Sequence, residues 1–347
     1  MSTPARIALL KPSSLGDIVH ALPVLTAVRT LYPAAEITWI VHRAFAELLH
    51  GHPHLDGLIT LDRGLMRRSW WRGSLEAMRV LRQIRARRFD LVLDLQGLLR
   101  SGIMCWWSGA PRTLGFANAR EGARWCYREV VAVPADVVHA VDRNWLFVAH
   151  LGGGHLAKQF LLPTNPAAES WAAATLARHA RPWWAVNLGT RWETKRWPVR
   201  HFVQLLERAM AKYAGTAILV GGPDESRLGQ EFIAQARGPA VNLIGQTTLP
   251  QLTAVLRLAD VMVSNDSGPL HLADALGKPV VAPYTCTSPA RTGPYHGRGG
   301  AVPTGVACAA SYLKRCDKMI CMTELIPDRL FPAVEAALQS CSARHSA

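Results

Sequence analysis

VMVSNDSGPLHLADALGKPVVAPY, Val261 to Tyr284, reads as a buried strand, a tight acidic loop, a short helix and a second buried strand. Asp266 or Ser267 is placed to cap the helix, Pro269 suits its first turn, and Gly277 with Pro279 ends it. Such a loop aims the backbone N–H groups of Ser267 and Gly268 from the positive end of a helix, where an anion such as a phosphate is favoured. Asp266 and His271 lie beside that position, which suggests a site; the plain alternative is an ordinary βαβ turn.

The same grammar recurs near the N-terminus in ARIALLKPSSLGDIVHALPVLTAVRTLYP, residues 5–33. A buried strand (Ile7 to Leu10) runs into Lys11-Pro12-Ser13-Ser14-Leu15-Gly16-Asp17 and then a helix predicted over 18–31. Ile18, Leu22, Leu25 and Val28 fall at helical spacing. This loop carries a carboxylate, Asp17, and a nearby imidazole, His20. G-x-G-x-x-G is absent, which removes most support for a dinucleotide cofactor.

Strands are predicted at 6–10, 36–41, 90–95, 184–188, 216–221, 241–244, 261–265 and 279–283, with helices between them, among them 74–87, 199–213, 249–257 and 268–276. Alternation of this kind implies parallel sheets with helices on both faces. The Gly- and Pro-containing stretch from Gly152 to Arg181 is the expected domain junction. The fold expected is α/β, with two Rossmann-like doubly wound domains facing a central cleft, because loops after strands are where such sheets bind ligands.

Composition sets independent bounds. The 347 residues are 49% hydrophobic and 18% charged, which fits a well-buried globular chain of two domains. No apolar run reaches the ~18–20 residues of a membrane span, and Lys11 and Asp17 interrupt any secretion-signal pattern, so a cytoplasmic protein is expected. Seven cysteines argue against a disulfide framework. Cys308, Cys316 and Cys321 cluster, but a fourth metal ligand at paired spacing is missing. His50, His52 and His54 lie in a Pro-Gly loop that reads as solvent-exposed. No D-x-D pair is present to chelate a metal with a diphosphate, so no metal and no cofactor are expected.

The net charge of +14 is concentrated: between Arg63 and Arg128 stand 14 arginines, no lysines and four acids. Trp70 and Trp71 sit among Arg67, Arg68 and Arg72. Arginine with interfacial tryptophan suits an anionic membrane surface or a phosphorylated lipid headgroup. A solvated basic face and a nucleic-acid surface are the alternatives, and no nucleic-acid-binding module is recognisable.

Six pieces in order resemble the lipopolysaccharide heptosyltransferases, glycosyltransferase family 9: KPSSLGDIVHALP (11–23), DLVLDLQGLLRSG (90–102), TRWETKRWP (190–198), LVGGPDE (219–225), NDSGPLHLADALGKP (265–279) and TSPARTGPYH (287–296). The resemblance runs from about Arg6 to about Phe331. The GDIVHALP and DLQGLLRSG versions look most like the heptosyltransferase I branch, which adds the first heptose of the inner core. It implies the GT-B fold, with residues 1–165 an N-terminal acceptor-binding domain, 166–327 a C-terminal nucleotide-sugar-binding domain, and 328–347 a C-terminal helix and tail. It also implies an inverting, metal-independent transfer of heptose from ADP-heptose to Kdo-lipid A by a monomer at the cytoplasmic face of the inner membrane.

Asp17 matches the family's proposed catalytic aspartate and would take the acceptor proton; the plain alternative is that it caps the following helix. Lys195 would neutralise charge on the leaving diphosphate, with hydroxyl donors from Thr190 and Thr194. Glu225, after the Gly221-Gly222 pair, is placed for ribose hydroxyls. Asp266 would repel phosphate and is assigned to sugar hydroxyls, with Ser267, Gly268 and His271 on the diphosphate side. The acceptor side is assigned to Ser13, Ser14, Gly16, His20, Arg63, Arg67, Arg68, Arg100 and Arg120. Two alternatives remain: a family member acting on a later core position or another acceptor, and a non-catalytic nucleotide-sugar-binding protein.

Overall fold

The computed structural model describes residues 3–62, 64, 65 and 70–345. Chain contacts divide it into two units, Met1–Pro163 and Thr164–Ala347.

In the first unit six strands form one sheet: β1 (Arg6–Leu10), β2 (Glu36–His42), β3 (Gly57–Leu61), β4 (Leu91–Asp94), β5 (Arg112–Phe116) and β6 (Glu129–Val131), in the order β3-β2-β1-β4-β5-β6. Every pairing is parallel. Sheets of this type are covered on both faces, so their strands need continuous apolar runs rather than alternation; Ile7 to Leu10 and Leu91 to Leu93 are accordingly buried. The helix Trp70–Ala86 adds Val80 and Ile84 to a core with Ala8, Leu10, Ile40 and Val92.

The second unit repeats the plan with β7 (Trp183–Asn187), β8 (Thr216–Leu219), β9 (Ala240–Asn242), β10 (Val261–Ser264), β11 (Val280–Tyr284) and β12 (Gly299–Pro303). Its order, β12-β11-β10-β7-β8-β9, is the first sheet's order read from the other edge. In each unit the chain reverses its winding between the first and fourth strands, which is where doubly wound sheets place ligands. The C-terminal helix Pro327–His345 supplies Leu330, Phe331 and Val334 to the core beneath β7 and β10, beside Trp184, Trp197 and Phe202.

One local device recurs. Asp90, just before β4, accepts hydrogen bonds through Oδ2 from the amides of Ala5 and Arg6 at 2.8 and 2.9 Å. Asp260, just before β10, does the same for the Trp183 amide at 2.7 Å, and the Arg181 guanidinium spans both its oxygens at 2.7 and 2.9 Å. A carboxylate entering the fourth strand thus satisfies the start of the first strand in both units, where the ladder has run out of acceptors.

Several expectations need correction. The helix predicted over 18–31 is two helices, Leu15–Val19 and Leu22–Leu31, because Pro23 has no N–H to return to the Val19 carbonyl. The helix predicted to begin at 74 begins at Trp70. Strands β3, β5, β6 and β12 were not expected. The loop holding His50, His52 and His54 is not simply solvated: His52 is buried, with Nε2 3.0 Å from the Leu161 carbonyl, and burial pushes its imidazole down to about 4.

Replacing Asp260 by alanine strands the Trp183 amide and leaves Arg181 with only the Leu258 carbonyl and the Trp183 ring. The expected cost is about 1–3 kcal/mol, read as a lower midpoint of chemical denaturation; an unchanged midpoint would show that water replaces the carboxylate without loss.

Candidate active site

The second unit's switch point is built from buried polar residues at strand ends. Ser264 pairs in register with Asn187. Asn187 donates through Nδ2 to the Val220 carbonyl at 3.0 Å and to Glu225 Oε2 at 2.8 Å. Asn265 donates to the Leu188 carbonyl at 2.7 Å and accepts from the Trp197 amide at 2.9 Å. Both asparagines are wholly buried, so the loops after β7 and β10 are tied to each other rather than to solvent.

Asp266 follows. Its Oδ2 accepts from Lys195 Nζ at 2.8 Å and from the Thr287 hydroxyl at 2.7 Å, and its Oδ1 lies 3.3 Å from His271 Nε2. Burial opposes its ionisation, but the His271 hydrogen bond and the Lys195 charge outweigh it and hold the carboxyl well below the usual range. Lys195 ends a short 3-10 turn, Glu193–Lys195, with its ammonium 5.2 Å from the centre of the Trp192 ring. Thr190 donates to the Asp266 carbonyl at 3.3 Å. Thr194 is buried and donates to the Leu313 carbonyl at 2.6 Å, so in this structure its proton anchors a loop and does not point to a ligand.

Ser267 is the N-cap of the helix Gly268–Ala275, yet its side chain makes no cap hydrogen bond; its Oγ lies 3.0 Å from Ser264 Oγ. The amides of the helix's first turn therefore have no side-chain acceptor from the cap. His271 projects from the same helix and is buried.

Glu225 ends the 3-10 turn Pro223–Glu225 after β8. A Cβ on either Gly189 or Gly221 would come within 2.0 Å of its carboxyl, so both glycines are there to admit it. Burial and the neighbouring Asp224 charge push Glu225 up to about 7, with the Asn187 hydrogen bond opposing.

In the first unit the loop after β1 carries Asp17 at the third position of the helix Leu15–Val19. Its Oδ2 accepts from both the amide and the hydroxyl of Ser14 at 2.8 Å, which completes a capping box. Ser13 and Ser14 are half-buried, and Gly16 is buried. His20 is buried with its ring edge-on to His139 at 5.5 Å, and its carbonyl accepts from Asn144. Lys11 is also buried and donates to the Leu95 carbonyl at 2.7 Å; burial pulls its ammonium below the usual value against the charges of Asp17 and Asp94. Asp94, opposite Leu10 in the sheet, accepts from the amides of Gln96 and Gly97 and from the Tyr127 hydroxyl, and burial raises its carboxyl. Arg100 and Arg120 are exposed. Arg63, Arg67 and Arg68 lie outside the described residues.

The structure thus brings Thr190, Lys195, Asp266, Ser267, Gly268 and His271 into one cluster and joins Glu225 to it through Asn187. Sequence reasoning missed Asn187, Asn265, Thr287 and Gly189 here, and Lys11, Asp94, Tyr127 and His139 in the first unit. Only Asp94 and Lys11 carried a sequence signal, as charges abutting apolar strands. Among the described residues no group of three or more His, Cys, Asp or Glu side chains is placed to hold a metal ion.

Two parallel sheets of Rossmann order, each with a polar cluster at its switch point, define a two-domain, doubly wound α/β protein. The sequence profile of glycosyltransferase family 9 (heptosyltransferase) matches residues 77–320, and the chain belongs to that family. It is 28% identical to lipopolysaccharide heptosyltransferase 1 of Pseudomonas aeruginosa over 96% of this chain and 98% of that one. A family 9 glycosyltransferase structure from Veillonella parvula superposes with a TM-score of 0.80 at 20% identity, covering 97% of each chain. Escherichia coli heptosyltransferase WaaC, solved with ADP-2-deoxy-2-fluoro heptose, gives 0.73 at 23% identity over 95% of this chain and 99% of that one. The fold is GT-B, and the protein is a heptosyltransferase.

The Lys195–Asp266 pair generates a double-mutant prediction. Lys195→Met alone leaves a buried carboxylate without its ammonium partner, at an expected cost of about 3–5 kcal/mol. Adding Asp266→Asn should return more than half of it in equilibrium unfolding; simple additivity of the two losses would show that the pair is not coupled.

Proposed function

We propose that this heptosyltransferase moves heptose from ADP-heptose to a Kdo-bearing lipid A, the first heptose of the lipopolysaccharide inner core, with inversion at the anomeric carbon. The observation that carries the donor half is the buried Lys195–Asp266–His271 cluster beside a helix start whose N-cap side chain makes no cap hydrogen bond. The relatives' names support the sugar and the pathway, and the ADP-sugar ligand of the WaaC structure supports the nucleotide.

In this reading the donor diphosphate lies against the Ser267 and Gly268 amides, with Lys195 and Thr190 on its oxygens. Asp266 keeps Lys195 and His271 aimed and faces the sugar hydroxyls. Glu225 takes the ribose hydroxyls. The acceptor hydroxyl oxygen forms its bond to the anomeric carbon on the face opposite the diphosphate, the bond from that carbon to the diphosphate oxygen breaks, and Asp17 takes the hydroxyl proton. Because Ser14 fixes one carboxylate oxygen of Asp17, the base is oriented before substrate arrives. Ser13, Gly16, His20, Arg100 and Arg120 belong to the acceptor side, together with Arg63, Arg67 and Arg68. A lipid acceptor implies work at the cytoplasmic face of the inner membrane.

The test is ADP release from ADP-heptose with and without Kdo-lipid A. Asp17→Asn should lower the acceptor-dependent turnover by roughly 10²–10⁴ with donor binding retained, the range of a lost general base. Unchanged turnover would remove Asp17 from that role, and absence of ADP-heptose binding would sink the donor assignment.

Glu225 adds a pH signature. Its raised pKa means that it is protonated in the empty protein below about 7 and becomes a stronger acceptor for hydroxyls above it. Donor KM should therefore fall as pH rises from about 6 to about 8, and Glu225→Gln should abolish that dependence. A wild-type KM flat across this window would exclude ribose binding by the carboxylate.

A further inference from the structure

The arginine-rich part of the first unit holds an exposed apolar surface to which the transfer chemistry assigns no role. In the helix Trp70–Ala86 the buried positions are Gly73, Glu76, Val80 and Ile84. Trp71, Leu75 and Met78 recur at the same helical spacing roughly half a turn away, and they are 64%, 61% and 44% exposed. An amphipathic surface helix ordinarily has one apolar stripe; this one has a second, facing water.

The neighbouring helix Leu99–Trp107 does the same. Its Ser101, Gly102 and Cys105 are buried, while Leu99, Ile103 and Trp106 form an exposed stripe with Trp107 beside it. The two helices touch where Arg85 donates to the Trp107 carbonyl. Gly102 packs closely on Ala123 and Cys126 of the 3-10 turn Ala123–Cys126, which holds Trp125 out at 84% exposure. Nine of the fifteen large apolar side chains exposed among the described residues fall on these three adjacent elements, five of them tryptophan.

Charge decides what covers the surface. Arg79, Arg87 and Arg112 are paired with Glu76, Glu36 and Glu129, whereas Arg72, Arg82 and Arg124, none of them assigned to the acceptor, are exposed among the apolar residues. A second copy of the chain would bring these guanidinium groups face to face. A nucleic acid would engage the arginines and tryptophans but leave Leu75, Met78, Leu99 and Ile103 against phosphates. An anionic bilayer satisfies both sets: tryptophan and aliphatic side chains enter the headgroup–acyl boundary, and arginines meet lipid phosphates.

We propose that the outer stripes of Trp70–Ala86 and Leu99–Trp107, with Trp125, form an interfacial membrane-docking face for anionic phospholipid. Vesicle binding needs no turnover, so its failure and the failure of the transfer reading are separately visible. Co-sedimentation with vesicles of phosphatidylglycerol and phosphatidylethanolamine, against phosphatidylcholine alone, measures it. Binding to the anionic vesicles should weaken with added salt, and Trp71→Glu with Trp106→Glu should reduce it at least tenfold. Arg82→Gln should weaken it roughly fivefold, the contribution of one basic residue at such a surface. Ile233→Glu, at an exposed apolar position of the second unit, should leave it unchanged. Thermal melting of each variant separates lost docking from lost folding, and tryptophan quenching by bromolipid in the wild type reads insertion even where a variant unfolds. Equal binding by wild type and folded double variant, or a concentration-dependent dimer that the substitutions dissociate, would overturn the proposal.

Discussion

A parallel sheet that winds one way and then the other must end two adjacent strands side by side with no connection crossing between them. The backbone groups there have left the ladder, and burial forbids leaving them unpaired. Much of what is unusual in this protein answers that constraint. In the second unit Asn187 and Asn265 occupy the two strand ends and bind the carbonyls of Val220 and Leu188. In the first unit Lys11 and Asp94 play the corresponding part, with Lys11 on the Leu95 carbonyl and Asp94 on the amides of Gln96 and Gly97. One unit meets the constraint with neutral amides and the other with charges, so the same topology produces two sites of different character.

That difference suits a division of labour. The amide-built site leaves Asp266, Lys195 and His271 to set the local charge, and a balanced cluster admits an anion without trapping it. The charged site surrounds the Asp17 loop with groups whose protonation is already perturbed: Lys11 lowered and Asp94 raised by burial. Removing either partner from such a low-dielectric arrangement shifts the others. Tyr127, whose hydroxyl donates to Asp94 at 2.7 Å, extends that dependence to a residue 33 positions further along the chain.

The parts of this arrangement that could be read in the sequence were those where a polar loop interrupts an apolar strand. NDSG after VMVS and KPSSLGD after IALL announce themselves because each carries a carboxylate in a small-residue loop between a fully buried run and a helix. Three of the four strands that escaped notice are short, edge-lying or glycine-rich: β3 and β12 are edges, β6 has three residues, and GGAVP in β12 opens on two glycines and closes on proline. Thr287 and Asn187 were invisible for another reason. Their partners, Asp266 and Glu225, lie 21 and 38 residues away, and only the tertiary fold pairs them. His52 shows the reverse error: a loop with Gly and Pro looks solvated until the Leu161 carbonyl, 109 residues on, closes over it.

Charge accounting at Asp266 explains why a carboxylate can stand where a diphosphate is proposed to bind. Isolated, it would repel the ligand and resist burial. Paired with Lys195 and bonded to Thr287 and His271, it instead holds the ammonium in place without using all three of its donors. In the proposed reading an arriving phosphate oxygen needs no rearrangement of Lys195, only a share of it, and as the anomeric bond breaks the growing negative charge would meet a cation already held in place. Preorganisation of that kind acts more on the departing charge than on the bound donor, which is the condition for accelerating transfer rather than merely tightening binding.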